Sequence, residues 1–295
     1  MDLTGRGRLA MHIVVLGGTG YVGRAVQEAL LSHGHQIKVI ARKGPVADGA
    51  QFVAGDVRDM DLATPFDEAD AVVNLVGIIE ESPAQQITFE LMHVEVVRRV
   101  ISAMSAVRVR RLVQMSALGT RPGARARYHK TKWIAEDLIR HTSGLQFTIL
   151  RPSLLFGGGA PFFKMLQSQA KWPITPIPGS GNTQFDPVYR GNVAEFAALV
   201  LDNPNDAMGE TFEMGGPERF SLNTLYRRAA QSVGKKQIMP WHIPYGLMMN
   251  LARFGENLPG FPVSVDQLLM LAENNTTDDR RWMQWVTPTP LGKDL

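Results

Sequence analysis

Apolar and polar positions along this chain alternate between the two periods that separate strands from helices. Short, nearly continuous apolar segments fall near residues 11–16, 36–41, 51–54, 70–76, 110–116 and 145–150. Such runs predict strands buried on both faces, as in a parallel sheet. Between them, near 21–33, 88–106 and 128–141, the apolar positions recur at helical spacing. The clearest case follows His93, where Val96, Val97, Val100, Ile101 and Met104 form one i, i+3, i+4 stripe. Strands alternating with helices predict an α/β fold, a Rossmann-type doubly wound parallel sheet with right-handed crossovers.

Beyond residue 156 the pattern loosens. Pro161, Pro173, Pro176, Pro178 and Pro187 break it, as do the turns Gly157-Gly158-Gly159 and Gly179-Ser180-Gly181. Loops of this kind at the carboxyl edge of a parallel sheet commonly build a substrate lobe. The expected division is a core over 11–156 and a small C-terminal substrate or partner lobe over 157–295, with some segments returning to the core. Asn192 followed by Glu195 predicts a helix-capping pair opening a helix over Val193–Leu201. Tyr245–Phe254 and Val263–Leu271 read as short amphipathic helices, a type that more often covers a core than binds a partner.

The first strand runs directly into Gly17-Gly18-Thr19-Gly20-Tyr21-Val22-Gly23. Gly17, Gly20 and Gly23 at i, i+3 and i+6 clear side chains from the turn, from the anion approach and from the helix–strand contact. The first free N–H groups of the helix and its dipole favour an anion there, and a dinucleotide pyrophosphate fits best. Tight packing alone is the plainer alternative for the glycines. The second strand ends in Arg42-Lys43, where such a fold meets the adenosine ribose. Two cations suit a 2′-phosphate and no acidic residue follows for a 2′-OH, so NADP(H) is the preferred cofactor and NAD(H) the alternative. Gly55-Asp56-Val57 ends the third strand; Asp56 is placed to accept from the adenine amino group or to cap the next turn. Asn74-Leu75-Val76-Gly77 ends the fourth, and Gly77 permits backbone approach on the nicotinamide side.

Tyr128-His129-Lys130-Thr131-Lys132 opens the helix after the fifth strand. Spacing of four puts Tyr128 and Lys132 on one helical face, where an ammonium lowers a phenol pKa and holds a ribose hydroxyl. A phenol so tuned delivers or takes the proton that accompanies hydride transfer at a carbonyl. Ser116, twelve residues earlier at the end of the fifth strand, either holds the substrate oxygen or caps its own turn. The candidate catalytic set is Ser116, Tyr128 and Lys132. The candidate cofactor set is Gly17, Thr19, Gly20, Tyr21, Val22, Gly23, Arg42, Lys43, Asp56, Val57, Asn74, Gly77 and Lys132.

Composition narrows the chemistry further. At 295 residues, 44% hydrophobic and 20% charged, the chain can bury a sizeable core. Its net charge of +3 comes with scattered rather than clustered basic residues, which argues against nucleic-acid binding. It has no cysteine, which excludes disulfides, thiol nucleophiles and thiolate metal or iron–sulfur sites. His33 and His35 lack carboxylate neighbours at metal spacing along the chain, so no metal site is expected. No window reaches the length of a membrane span, and no Gly-x-Ser-x-Gly elbow marks a serine hydrolase. Met1–Ala10 reads as a flexible lead, or as sequence upstream of a true start at Met11.

Together these motifs resemble the short-chain dehydrogenase/reductase superfamily, in its extended and atypical branches, over roughly residues 11–280. Gly17–Gly23 is similar to its Gly-x-x-Gly-x-x-Gly fingerprint, Tyr128 with Lys132 to its catalytic pair, and Ser116 to its catalytic hydroxyl. Leu150-Arg151-Pro152-Ser153-Leu154-Leu155-Phe156-Gly157 resembles the segment that closes over the nicotinamide, which adds Pro152 to the cofactor set. The closer resemblance is to the nucleotide-binding accessory subunit of respiratory complex I and its bacterial relatives. It rests on Ser116-Ala117-Leu118-Gly119, Pro187-Val188-Tyr189, Met214-Gly215-Gly216-Pro217 and the run Phe261–Asn275. That resemblance implies NADP(H) held structurally or in assembly, a respiratory complex or other protein partner, and a cytoplasmic location, peripheral on the inner face of a respiratory membrane. His93 stands where extended enzymes often carry Asn, and Gly191-Asn192 where they tend to carry Asp-Asp; both weaken the case for a sugar-nucleotide substrate. Three readings stay open: an accessory or assembly protein, an active NADP-dependent reductase or sugar-nucleotide epimerase/dehydratase, and a redox-sensing regulator.

Overall fold

The computed structural model describes residues 10–255 and 263–292. Phe261 and Pro262 of the run noted above, and Met1–Leu9 of the lead, lie outside the described residues. Six strands fall where the apolar runs predict them: β1 (His12–Leu16), β2 (Gln36–Ala41), β3 (Gln51–Ala54), β4 (Ala71–Asn74), β5 (Arg111–Met115) and β6 (Gln146–Pro152). Between them run α1 (Tyr21–Ser32), α2 (Val96–Ala106) and α3 (Arg127–Arg140). The lobe and the return to the core follow: α4 (Pro161–Ala170), β7 (Thr175–Pro178), α5 (Arg190–Asp202), β8 (Glu210–Met214), α6 (Leu222–Ser232), β9 (Pro240–Ile243), α7 (Tyr245–Gly255) and α8 (Val265–Leu271).

The main sheet is parallel throughout, in the order β8-β6-β5-β4-β1-β2-β3. The chain moves outward from β1 to β3, then returns beside β1 as β4 and proceeds the other way. That reversal leaves a crevice beyond the carboxyl ends of β1 and β4, the place where doubly wound sheets bind ligands. Pleating explains the unbroken apolar runs. Ile13 and Val15 of β1 face one layer with Val26 and Leu30 of α1 and Phe196 of α5, while Val14 and Leu16 face the other with Val96 and Val100 of α2 and Ile139 of α3. A third cluster, with Phe156, Phe163, Leu166, Leu225 and Tyr226, forms the core of the lobe between α4 and α6.

Two local expectations need correction. The helix expected over 88–106 begins instead as a wide π turn, Glu90–Glu95, in which the Val96 N–H donates to the Leu91 carbonyl. Such turns are often found at functional sites, and this one carries His93. Asn192 does not cap a helix. The helix starts two residues earlier, at Arg190, and Asn192 lies inside its first turn. There its amide donates to Thr287 O and accepts from Thr289 N, tying down the C-terminal segment. Glu195 pairs with His33 instead.

Candidate functional site

The glycine turn is shaped by backbone rather than by side chains. Gly17 has φ +71°, a left-handed conformation that disfavours any Cβ, and its N–H donates to Ile40 O on the adjacent strand. A Cβ on Gly23 would lie 2.3 Å from the carbonyl oxygen of Gly18, so α1 packs against the turn at a distance only glycine allows. Gly20 is the N-cap of α1 and offers no side-chain cap to the helix N–H groups. This leaves donors and a positive dipole end at the crevice, the arrangement that accepts a pyrophosphate. Val22 packs into the core beneath. Tyr21 donates its hydroxyl to Gly157 O, and the Arg190 guanidinium sits 5.0 Å over its ring, joining the turn to the lobe. Thr19 is half-buried in the turn itself.

Arg42 and Lys43 are exposed just past β2 and make no ion pair among the described residues. Asp56 serves its own turn. It accepts from the Arg58 N–H and from the Arg58 guanidinium at 2.7 Å, and those hydrogen bonds, with Arg42 adding a smaller effect, hold its carboxyl below the usual range against the opposing effect of burial. Val57 is buried and its carbonyl accepts from Arg99 Nε. Asn74 shapes the end of β4, donating to Gln114 and accepting from the Val76 N–H. Gly77 leaves room for Lys132, whose Nζ would lie 2.9 Å from a Cβ there. Pro152 ends β6 and its carbonyl accepts from the Leu118 N–H.

The Ser116, Tyr128 and Lys132 region is built differently from the spacing argument. Lys132 is buried, donates to Met115 O at 3.2 Å and lies 5.9 Å from the centre of the Tyr128 ring. Burial lowers its ammonium to about 8, with the Glu136 carboxylate opposing. The phenol is not lowered by this neighbour. Burial pushes Tyr128 up to about 12, and the charge of Asp266 adds to the rise, so the hydroxyl stays protonated at neutral pH. Ser116 does not present a free hydroxyl. It donates to Glu136 Oε1 at 2.5 Å, inside a cluster where Glu136 also binds Arg140 and Arg151, each at 2.6 Å. His93 touches this group: its Nδ1 meets Thr131 Oγ1 at 2.8 Å and its ring stands edge-on to Tyr128. Burial, reinforced by Lys132, keeps His93 well below its usual pKa and therefore neutral.

Residues far along the chain hold this region, and spacing alone did not reveal them. Both carboxylate oxygens of Asp266, on α8, accept from the N–H groups of Arg127 and Tyr128 and so cap α3. Asn275 clamps the crevice rim, donating to Leu118 O and accepting from Ser153 Oγ and Leu154 N. Both lie in the run quoted above for resemblance, which was the one signal available. The histidines of the α1–β2 turn also gain partners that sequence neighbours did not supply. His33 meets Asp202 at 2.6 Å and Glu195 at 3.0 Å across from α5, and His35 meets Asp202 at 3.1 Å. Among the described residues no group is arranged to hold a metal ion.

Switch-point crevice, glycine turn and uncapped helix together define a Rossmann-type dinucleotide-binding protein. Residues 13–215 match the model of the NAD dependent epimerase/dehydratase family, and the chain belongs to that family. Binding of a nicotinamide dinucleotide is therefore supported by family and by geometry alike. Over 286 residues the chain is 26% identical to the mitochondrial NADH dehydrogenase [ubiquinone] 1 alpha subcomplex subunit 9 of Arabidopsis thaliana, covering 90% of this chain and 69% of that protein. It is 25% identical to the mitochondrial NADH-ubiquinone oxidoreductase 40 kDa subunit of Neurospora crassa, covering 79% of this chain and 63% of that one. In structure it is similar to UDP-glucuronic acid 4-epimerase from Bacillus cereus, with a TM-score of 0.73, 18% identity and coverage of 96% and 95% of the two chains. The doubly wound fold and the resemblance to complex I accessory subunits both stand. No helix among the described residues is long and apolar enough to cross a membrane.

Proposed function

We propose that this chain is an NADP(H)-binding accessory subunit or assembly factor of a respiratory NADH–ubiquinone oxidoreductase, and that it holds its dinucleotide as a structural element. The observation that carries this reading is Ser116, whose hydroxyl proton goes to the buried Glu136–Arg140–Arg151 cluster rather than to a substrate oxygen. The Tyr128 phenol, which burial holds near 12 and the Lys132 ammonium does not lower, supports the same conclusion. Arg42 and Lys43, which are exposed and form no ion pair among the described residues, favour the 2′-phosphate of NADP(H) over NAD(H). Gly17, Thr19, Gly20, Tyr21, Val22 and Gly23 take the pyrophosphate side, Asp56 and Val57 the adenine side, and Asn74, Gly77, Lys132 and Pro152 the nicotinamide side. Similarity to two respiratory-complex subunits over most of this chain supports that partner and a peripheral place on the inner face of the membrane. Spectrophotometry with a panel of carbonyls, quinones and sugar nucleotides tests the reading. NADPH should raise the melting temperature by binding the folded state, by about 2.7 kcal/mol of stability at one hundred times Kd, yet stay unoxidised. Steady-state turnover on any panel compound would overturn it.

One observation favours a second reading, an active NADP-dependent reductase: the Tyr128 ring and the Lys132 ammonium remain together, 5.9 Å apart. A protonated phenol can donate to a carbonyl oxygen as it receives hydride. In that case Tyr128→Phe should cost about 10²–10⁴-fold in turnover with cofactor affinity kept, and Lys132→Met should damage both. Full turnover by Tyr128→Phe on an identified substrate would place the chemistry elsewhere.

A further inference from the structure

The lobe carries an apolar and cationic face that the nucleotide site does not use. Seven of the ten large apolar side chains exposed among the described residues lie within it: Trp172, Ile174, Met239, Trp241, Leu247, Leu251 and Phe254, the last of them 86% exposed. They are ordered by secondary structure rather than scattered. β7 pairs with β9 in parallel, Thr175 opposite Pro240 and Pro176 opposite Trp241. Alternation then puts Ile174 and Pro176 on the same side of this ribbon as Met239 and Trp241, while Thr175 and Ile177 point to the other side and are buried; Ile243, at the end of the ribbon next to α7, is buried as well. Pro244 alone separates the ribbon from α7, where Leu247, Leu251 and Phe254 fall at i, i+4 and i+7 on one exposed stripe.

Charge supplies the second observation. Residues 219–255 contain six cations, Arg219, Arg227, Arg228, Lys235, Lys236 and Arg253, and no Asp or Glu; residues 157–185 contain Lys164 and Lys171 and again no acid. The whole chain carries 28 acidic residues, so their absence from both stretches that build this face is a local feature. Arg219 is spent on Asp186. Lys171, Lys236 and Arg253 are exposed and form no ion pair among the described residues. Basic residues beside exposed tryptophans and a short apolar helix stripe match a bilayer interface, where indole rings sit at headgroup level and cations meet anionic lipid. α7 has 11 residues, too few to span, so it would lie in the interface plane.

We propose that this face, formed by the β7–β9 ribbon and α7, docks on a membrane surface rich in anionic lipid. The inference deepens the peripheral placement proposed above and does not depend on whether the cofactor is structural or catalytic. It is tested by co-sedimentation of the full chain with vesicles of phosphatidylcholine alone and of phosphatidylcholine mixed with phosphatidylglycerol. Binding should require the anionic lipid and weaken with salt. Each surface cation is worth about five-fold in partitioning, so Lys171→Glu with Lys236→Glu should reduce it more than ten-fold. Leu251→Ser with Phe254→Ser should abolish insertion, read as the loss of a blue shift in tryptophan emission. NADPH-induced melting shifts, measured on the same variants, should be unchanged and so report the nucleotide site separately. No sedimentation with anionic vesicles, equal binding to neutral ones, or full binding by the variants would overturn the proposal. So would a dimer in sedimentation velocity that Phe254→Ser dissolves, since a second copy would then be what covers this face.

Discussion

Replacing Gly23 by alanine sets two effects of opposite sign against each other, and the structure decides which prevails. Gly23 lies in the first turn of α1, and alanine in a helix is favoured over glycine by up to about 1 kcal/mol. Against this, the new Cβ would sit 2.3 Å from Gly18 O, 2.5 Å from Gly18 C and 2.6 Å from Gly17 O. All three are backbone atoms of the phosphate turn, so no rotamer change relieves the clash and α1 must move away. Overpacking of this kind costs about 1–3 kcal/mol, and contact with backbone places it at the upper end. The expected net loss is about 2 kcal/mol, read from urea midpoints at constant m. Because the helix start shifts away from the turn, NADPH affinity should fall at least ten-fold, equivalent to about 1.4 kcal/mol. Gly246→Ala is the matched control: it lies in α7, has ordinary φ, and its Cβ would meet nothing within 4 Å, so it should stabilise by a few tenths of a kcal/mol. Unchanged or increased stability in Gly23→Ala, with NADPH binding intact, would refute the reasoning.

Three further outcomes are expected. Calorimetry should find NADPH bound more tightly than NADH, and Arg42→Asp should reverse the order because its carboxylate repels a 2′-phosphate and accepts from a free 2′-OH. Glu136→Gln should destabilise by about 3 kcal/mol in chemical unfolding, since it leaves the partly buried Arg140 without a carboxylate and Arg151 with only the longer pair to Glu213, whereas the exposed pair partner Glu95→Gln should change stability by less than about 0.5 kcal/mol. His93 and His129 are both held below their ordinary values by burial, His129 at about 4. Each is neutral when folded and takes a proton on unfolding below pH about 6.5, so its contribution is complete above that value and is lost as pH falls towards the folded value. Stability should therefore drop between pH 6 and 4.5 by up to about 1.4 kcal/mol per pH unit for each histidine, and a His93→Asn, His129→Gln double variant that keeps the full slope would contradict this.

The local pattern made β1 to β6 and α1 to α3 legible because strands buried on both faces must be apolar at nearly every position, and glycines at i, i+3 and i+6 have few structural uses. β8 escaped notice. Its sequence, Glu-Thr-Phe-Glu-Met, alternates polar with apolar as an edge strand does, and only pairing with β6 shows that it belongs to the main sheet. At the site, the positions of Ser116, Tyr128 and Lys132 were readable from spacing, but their electrostatic state was not. Tyr128 is set by burial and by Asp266, 138 residues away, and Ser116 by a carboxylate one helix later. His33 and Asp202 lie 169 residues apart in the chain yet share a hydrogen bond. Pairwise contacts of that range leave no periodic trace in the sequence, so the side chains that tune a site are less legible than the elements that carry it.

The proposed role makes a bound NADP(H) part of this protein's structure within a respiratory complex. It is tested most directly by isolating membranes from cells that make the chain, separating their complexes under non-denaturing conditions, and measuring dinucleotide released by acid or alkali from the band containing it. The chain is expected in a band with NADH–ubiquinone oxidoreductase activity, with NADP(H) rather than NAD(H) released in proportion to it and retained after the complex has turned over NADH. Recovery of the chain only in the supernatant, with NADPH consumed in steady state on a small-molecule substrate, would contradict it.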